Sequence, residues 1–126
     1  MAKRFNHLWL KFAHQGYRNS FALAFLKRVI AFQIRTLRQN RCGSQMVLAE
    51  LAGLTQGVVS RAEDPDYGNL TVNTIGKIEA GLDMAFIGRF VPWSKLASFS
   101  QSLSEDMFIK IPTFEAEARD KEQHGS

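Results

Sequence analysis

Residues 44–63 read Ser-Gln-Met-Val-Leu-Ala-Glu-Leu-Ala-Gly-Leu-Thr-Gln-Gly-Val-Val-Ser-Arg-Ala-Glu, and no other stretch limits the fold as tightly. The pattern predicts two short helices joined by a tight turn. Ser44 stands just before an apolar-periodic run, the place of a helix-starting residue. Gly53 closes that run and can take the left-handed backbone of a sharp turn. Thr55 then starts a second helix. Leu48, Ala52, Leu54, Val59 and Ala62 are expected to face inward. Ala49 is small where two helices must approach closely. Gln56, Gly57, Ser60 and Arg61 are left on the outer face of the second helix. Gln, Ser and Arg on an exposed helix can read base edges in a DNA major groove.

The residues Ser-Gln-x-x-Leu-Ala at 44–49, Ala-Gly-Leu-Thr-Gln at 52–56 and Val-Ser-Arg-x-Glu at 59–63 resemble the helix-turn-helix of the Xre and lambda-repressor-like family. A basic helix ending Ile34-Arg35-x-Leu37-Arg38 precedes them, as in that family. The likeness runs on to Leu82 and, more weakly, through Arg89-Phe90-Val91-Pro92, about half the chain. It implies a five-helix DNA-binding domain that regulates transcription. In that family the start and outer face of the second motif helix read bases. Here that assigns base reading to Thr55, Gln56, Gly57, Ser60 and Arg61. The resemblance also implies that Gln45, beside Ser44, bonds a phosphate at a helix N-terminus. Asn69, Thr71 and Asn73 lie where the family makes further phosphate contacts. Gly57 departs from the polar residue usual at its place.

The charge distribution points the same way. The net charge is +4, but residues 1–44 hold nine Lys and Arg and no acid, whereas residues 45–126 hold seven bases and twelve acids. A basic half beside an acidic half suggests a surface for a polyanion. Double-stranded DNA fits best. An anionic membrane surface is the competing reading, but no helix with a concentrated Lys/Arg face supports it. Arg35, Arg38 and Arg41, three apart, are expected phosphate clamps. Glu63 cannot serve phosphate, so it is expected to pair with Arg35 or Arg38 and fix the angle between two helices.

The chain of 126 residues is long enough for one domain with a modest core. No apolar run spans a bilayer. The start, Met1-Ala2-Lys3-Arg4-Phe5, followed by His7, Lys11 and His14, does not read as a signal peptide. A single cysteine, Cys42, permits no internal disulfide and fits a cytoplasmic setting. Its neighbour Arg41 leaves a redox-sensing role open, although an inert thiol is the simpler reading. His7, His14 and His124 give no metal-ligand spacing. No Gly-rich phosphate loop or nucleophile with paired carboxylates suggests an enzyme. No metal or cofactor is expected.

Four regions are expected in a mainly α-helical chain: an N-terminal helical extension at 1–28, the DNA-binding domain at 29–82, a dimerisation strand at 83–96, and an acidic, partly disordered tail at 97–126. Phe5, Leu8, Trp9 and Phe12 have helical spacing, with Gly16 as the stop. Ser20 is expected to cap a helix to about Asn40 that bends or breaks near Val29–Phe32. Its inward residues are Phe21, Phe25, Ile30, Ile34 and Leu37, and Gly43 ends it. Asp64-Pro65-Asp66-Tyr67-Gly68-Asn69 marks a loop. Thr71 or Asn73 then caps a helix with Val72, Ile75 and Ile78 inward, stopped by Gly81. Residues 84–91 read as a strand ended by Pro92. A lone strand leaves unpaired edges, so pairing with a second copy is expected through Phe86, Ile87, Arg89, Phe90 and Val91. Phe108–Ile111 is the only other short strand candidate. Glu105-Asp106 begins a helical turn, and residues from Thr113 onward read as a poorly ordered tail.

The reading is therefore a homodimeric, sequence-specific DNA-binding regulator, a repressor on a pseudo-palindromic operator. Two alternatives stand beside it. One is a DNA-binding antitoxin that also holds a toxin protein. The other is a protein-interaction module without DNA binding.

Overall fold

The computed structural model describes residues 2–124. Met1, Gly125 and Ser126, the outer ends of the expected extension and tail, lie outside the described residues. Eight helices make up the described chain: α1 (Ala2–Lys11), α2 (Gln15–Arg41), α3 (Gln45–Ala52), α4 (Gln56–Ala62), α5 (Val72–Leu82), α6 (Trp93–Ser102), α7 (Asp106–Ile109) and α8 (Phe114–His124).

The second helix organises the rest. It spans 27 residues without interruption, roughly 40 Å at the α-helical rise. The expected break near Val29–Phe32 is absent. From Tyr17 to Arg41 the helix carries no Gly or Pro to break it, and it packs on apolar clusters along both halves. Gly16 lies in its first turn and does not stop α1. The start is at Gln15, not Ser20.

Two apolar clusters line this helix. The larger joins Phe25, Val29, Ile34 and Leu37 of α2 to Leu48, Ala49 and Ala52 of α3, Val59 and Ala62 of α4, Ile78 and Leu82 of α5, and Phe108 of α7. The smaller joins Leu8 and Phe12 to Ala97 of α6. Phe21 and Leu96 touch both. Inside the motif the expected inward set is buried, except that Leu54 is only half-buried. Val72 breaks the expectation for α5. It stands at the first helical position and is exposed, while Ile75 is half-buried and Ile78 and Leu82 are buried.

Gly81 does not stop α5. It lies inside the helix, where an added Cβ would sit 3.0 Å from the Ala52 Cβ and 3.1 Å from the Ala52 backbone nitrogen. A glycine is needed here for close approach of α3 and α5. Asp83 ends the helix instead, in the left-handed region at φ 57°. Short polar side chains tolerate that conformation better than most.

The C-terminal third differs most from expectation. Residues 84–91 take neither helix nor strand, and no strand exists among the described residues. The Phe86 N–H donates to the Glu79 carboxylate at 2.7 Å, so a side chain takes a bond that a ladder would have used. Residues 108–111 form the end of a helical turn and the residues after it, not a strand. The expected tail is helical as α8. Its first N–H groups are held by Thr113 Oγ1, which accepts from Ala116 at 3.2 Å, and by Asp83, whose carbonyl accepts from Phe114 at 2.9 Å and whose carboxylate accepts from Glu115 at 3.1 Å. No helix among the described residues is long and apolar enough to cross a membrane.

Candidate nucleic-acid interface

The motif is built by its caps. Ser44 is extended at φ −121°, and its Oγ accepts from the Val47 N–H at 3.2 Å. Gly53 takes φ 68°, turning the chain between α3 and α4. Thr55 repeats the first cap, with Oγ1 accepting from the Val58 N–H at 3.3 Å. Thr71 does the same for α5 through the Thr74 N–H at 3.1 Å. Each cap satisfies an N–H that has no partner inside its helix.

With Val59 and Ala62 buried beneath it, α4 presents Gln56, Gly57, Ser60 and Arg61 to solvent. Thr55 is exposed at its start. The Arg61 guanidinium lies over the Tyr67 ring, 5.8 Å from its centroid. A Cβ at Gly57 would meet Arg61 Nη1 at 3.5 Å, ordinary contact, so the bare backbone there leaves room beside the arginine. Asn69, Thr71 and Asn73 are exposed at the neighbouring end of α5. Asp64 forms the expected turn, its carboxylate accepting from the Asp66 N–H at 2.9 Å.

The three arginines of α2 separate into three roles. Arg38 is buried and carries the ion pair expected of Glu63. Its Nη2 donates to Glu63 Oε1 at 2.9 Å, its Nε donates to the second carboxylate oxygen, and its Nη1 donates to the Gly43 carbonyl at 3.0 Å. The hydrogen bond to Glu63 holds the guanidinium protonated to higher pH than usual. Arg38 therefore ties α2 to α4 and has no free fork for a phosphate. Arg41 donates to the carbonyls of Ile109 and Ile111, fastening the segment after α7. Arg35 alone is exposed with none of these bonds.

Gln45, expected to bond a phosphate, also has partners within the chain. Its Nε2 donates to Glu63 Oε1 at 3.2 Å, and its Oε1 accepts from Gln56 Nε2 at 3.4 Å. A polar chain thus runs from buried Arg38 through Glu63 and Gln45 to Gln56 on the outer face. The links beyond Glu63 gave no sequence signal, because residues 45 and 56 meet only once α3 and α4 are set at their angle. Asp83, which holds α8, was equally invisible.

Phe86, Ile87, Arg89, Phe90 and Val91 are all exposed on the segment between α5 and α6, with Ile87 at 85% and Phe90 fully bare. They form no strand within the chain. Cys42 is half-buried, and burial pushes its thiol pKa up against the opposing pull of Arg38 and Arg41. That disfavours the reactive thiolate. No group of metal-ligating side chains occurs among the described residues. Compared with protein families, with curated proteins and with solved structures, the chain matches none of them.

Proposed function

We propose that this chain is a sequence-specific DNA-binding protein with a lambda-repressor-like domain at 29–82, acting as a transcriptional repressor. The observation that carries the proposal is the α3–Gly53–α4 unit. Its inner residues are buried or half-buried, while Gln56, Ser60 and Arg61 are exposed on one helix. In this reading α4 enters the major groove. Arg61 pairs with guanine and Gln56 with adenine, each worth about 1–3 kcal/mol of discrimination. Gln45 orients Gln56 from behind. Arg35, the exposed N-termini of α3 and α5, and the acid-free basic half bind phosphates.

The protein acts as a homodimer in this reading, and its two α4 helices reach half-sites about one helical turn apart. The contact between copies is the bare apolar stretch from Phe86 to Val91, without β-pairing. Occupancy of the operator excludes polymerase.

Selection of bound duplexes from a random pool tests the reading. A pseudo-palindromic consensus is expected, with affinity falling steeply as salt rises. Arg61→Ala and Gln56→Ala are expected to relax specificity at one position each. The absence of any mobility shift at low salt sinks the proposal. Sedimentation tests the dimer: Phe90→Glu is expected to yield monomers, and a wild-type monomer at micromolar concentration rules the dimer out.

A further inference from the structure

α1, α2 and α6 contain no aspartate or glutamate. Where they meet, an open-sided cavity of about 350 Å³ is lined by Trp9, Leu10, Phe12, Ala13, Arg18 and Trp93. This volume falls in the range of small-molecule sites. Phe12 forms a buried floor, with the Trp93 ring edge-on at 5.6 Å and the Trp9 ring tilted at 6.3 Å.

Arg18 is the one charged residue in this lining. Its Nη1 donates to the Phe12 carbonyl at 3.1 Å, and its guanidinium lies 5.8 Å from the Trp93 ring centroid. It is half-buried, and no carboxylate pairs with it among the described residues. A guanidinium has five N–H donors, and one is used here. Lys11 on α1 and Lys95 on α6 are further bases of the flanking helices, and no acid accompanies them there. Arg18 also lies in the first turn of α2, where the helix dipole favours an anion and disfavours a cation. A partly desolvated cation held against aromatic walls, in surroundings without an acid, matches an anion with a flat apolar body.

We infer that this cavity binds a small aromatic carboxylate, with its ring among Trp9, Phe12 and Trp93 and its carboxylate on the Arg18 fork. The site is separate from the α4 surface and does not depend on DNA binding.

Both tryptophans of the chain line the cavity, so their emission reports occupancy without a label. The full chain is titrated with phenylacetate, benzyl alcohol and acetate. A saturable change with phenylacetate is expected, at least about tenfold tighter than with either compound that carries half of its chemistry. Arg18→Gln is expected to erase that preference and leave the weak response to benzyl alcohol unchanged, with Arg18→Lys between the two. Thermal melting checks that each variant is folded. If Arg18→Gln does not fold, the wild-type comparison decides alone. Equal affinity for phenylacetate and benzyl alcohol, or no saturable change with phenylacetate, overturns the inference.

Discussion

The helix-turn-helix at 44–63 and the C-terminal stretch at 84–124 follow opposite rules. In the first, each element is set by residues a few positions away. Ser44 and Thr55 cap at the third residue on, and Gly53 turns the chain where it stands. In the second, partners outside the segment hold much of the chain in place. Glu79 takes the Phe86 N–H, Asp83 holds the start of α8, and Arg41 holds the carbonyls of Ile109 and Ile111. Local signals survive translation into three dimensions, whereas remote partners override them. An extended, apolar, Pro-terminated run reads as a strand until a carboxylate takes its donor.

The comparison is broken most severely by removing a remote partner from inside the motif itself. Glu63→Ala strips Arg38 of its buried counter-ion, and about 3 kcal/mol of stability is expected to be lost by chemical denaturation. Adding Arg38→Met should restore much of it, because a buried ion pair is costly to halve but not to replace. A smaller loss would mean that the motif stands on its local signals alone.

Gly81→Ala comes next. The new methyl meets the Ala52 backbone nitrogen at 3.1 Å, a contact that cannot rotate away. Overpacking of this kind costs about 1–3 kcal/mol, and the helix propensity gained offsets up to about 1. A net loss near 1 kcal/mol in a thermal melt is expected, and a gain would show that α3 and α5 can separate.

Thr55→Ala removes the α4 cap and is expected to cost about 1 kcal/mol. Thr55→Ser should recover it, which separates the cap bond from packing.

The smallest effect belongs to the tail. α8 has no buried residue, so truncation after Pro112 is expected to cost no more than about 0.5 kcal/mol. A loss as large as that of Glu63→Ala would place part of the core beyond residue 112.

Much of the candidate interface was legible in the chain. The three caps, the glycine turn, the Glu63–arginine pair and the exposed face of α4 follow from residue type and spacing. The arginines of α2 show where legibility ends. Arg35, Arg38 and Arg41 look equivalent as a basic series, yet one is exposed, one is buried against Glu63 and one is turned to the Ile109 and Ile111 carbonyls. Charge alone does not tell which neighbour a side chain will meet. The same limit hid Arg18, an ordinary basic residue until α1 and α6 close around it.

By itself the sequence determined that the chain is mainly helical, where α3 and α4 begin and turn, and that positive charge gathers in its first third. These depend on caps, backbone freedom and composition, which act over a few residues or over none. Tertiary structure decided that α2 runs unbroken, that residues 84–91 form no strand within the chain, that the tail is helical, and which polar groups reach the α4 surface. Those outcomes depend on hydrogen bonds and close packing between residues 7 to 70 positions apart, and only the folded chain brings such groups together.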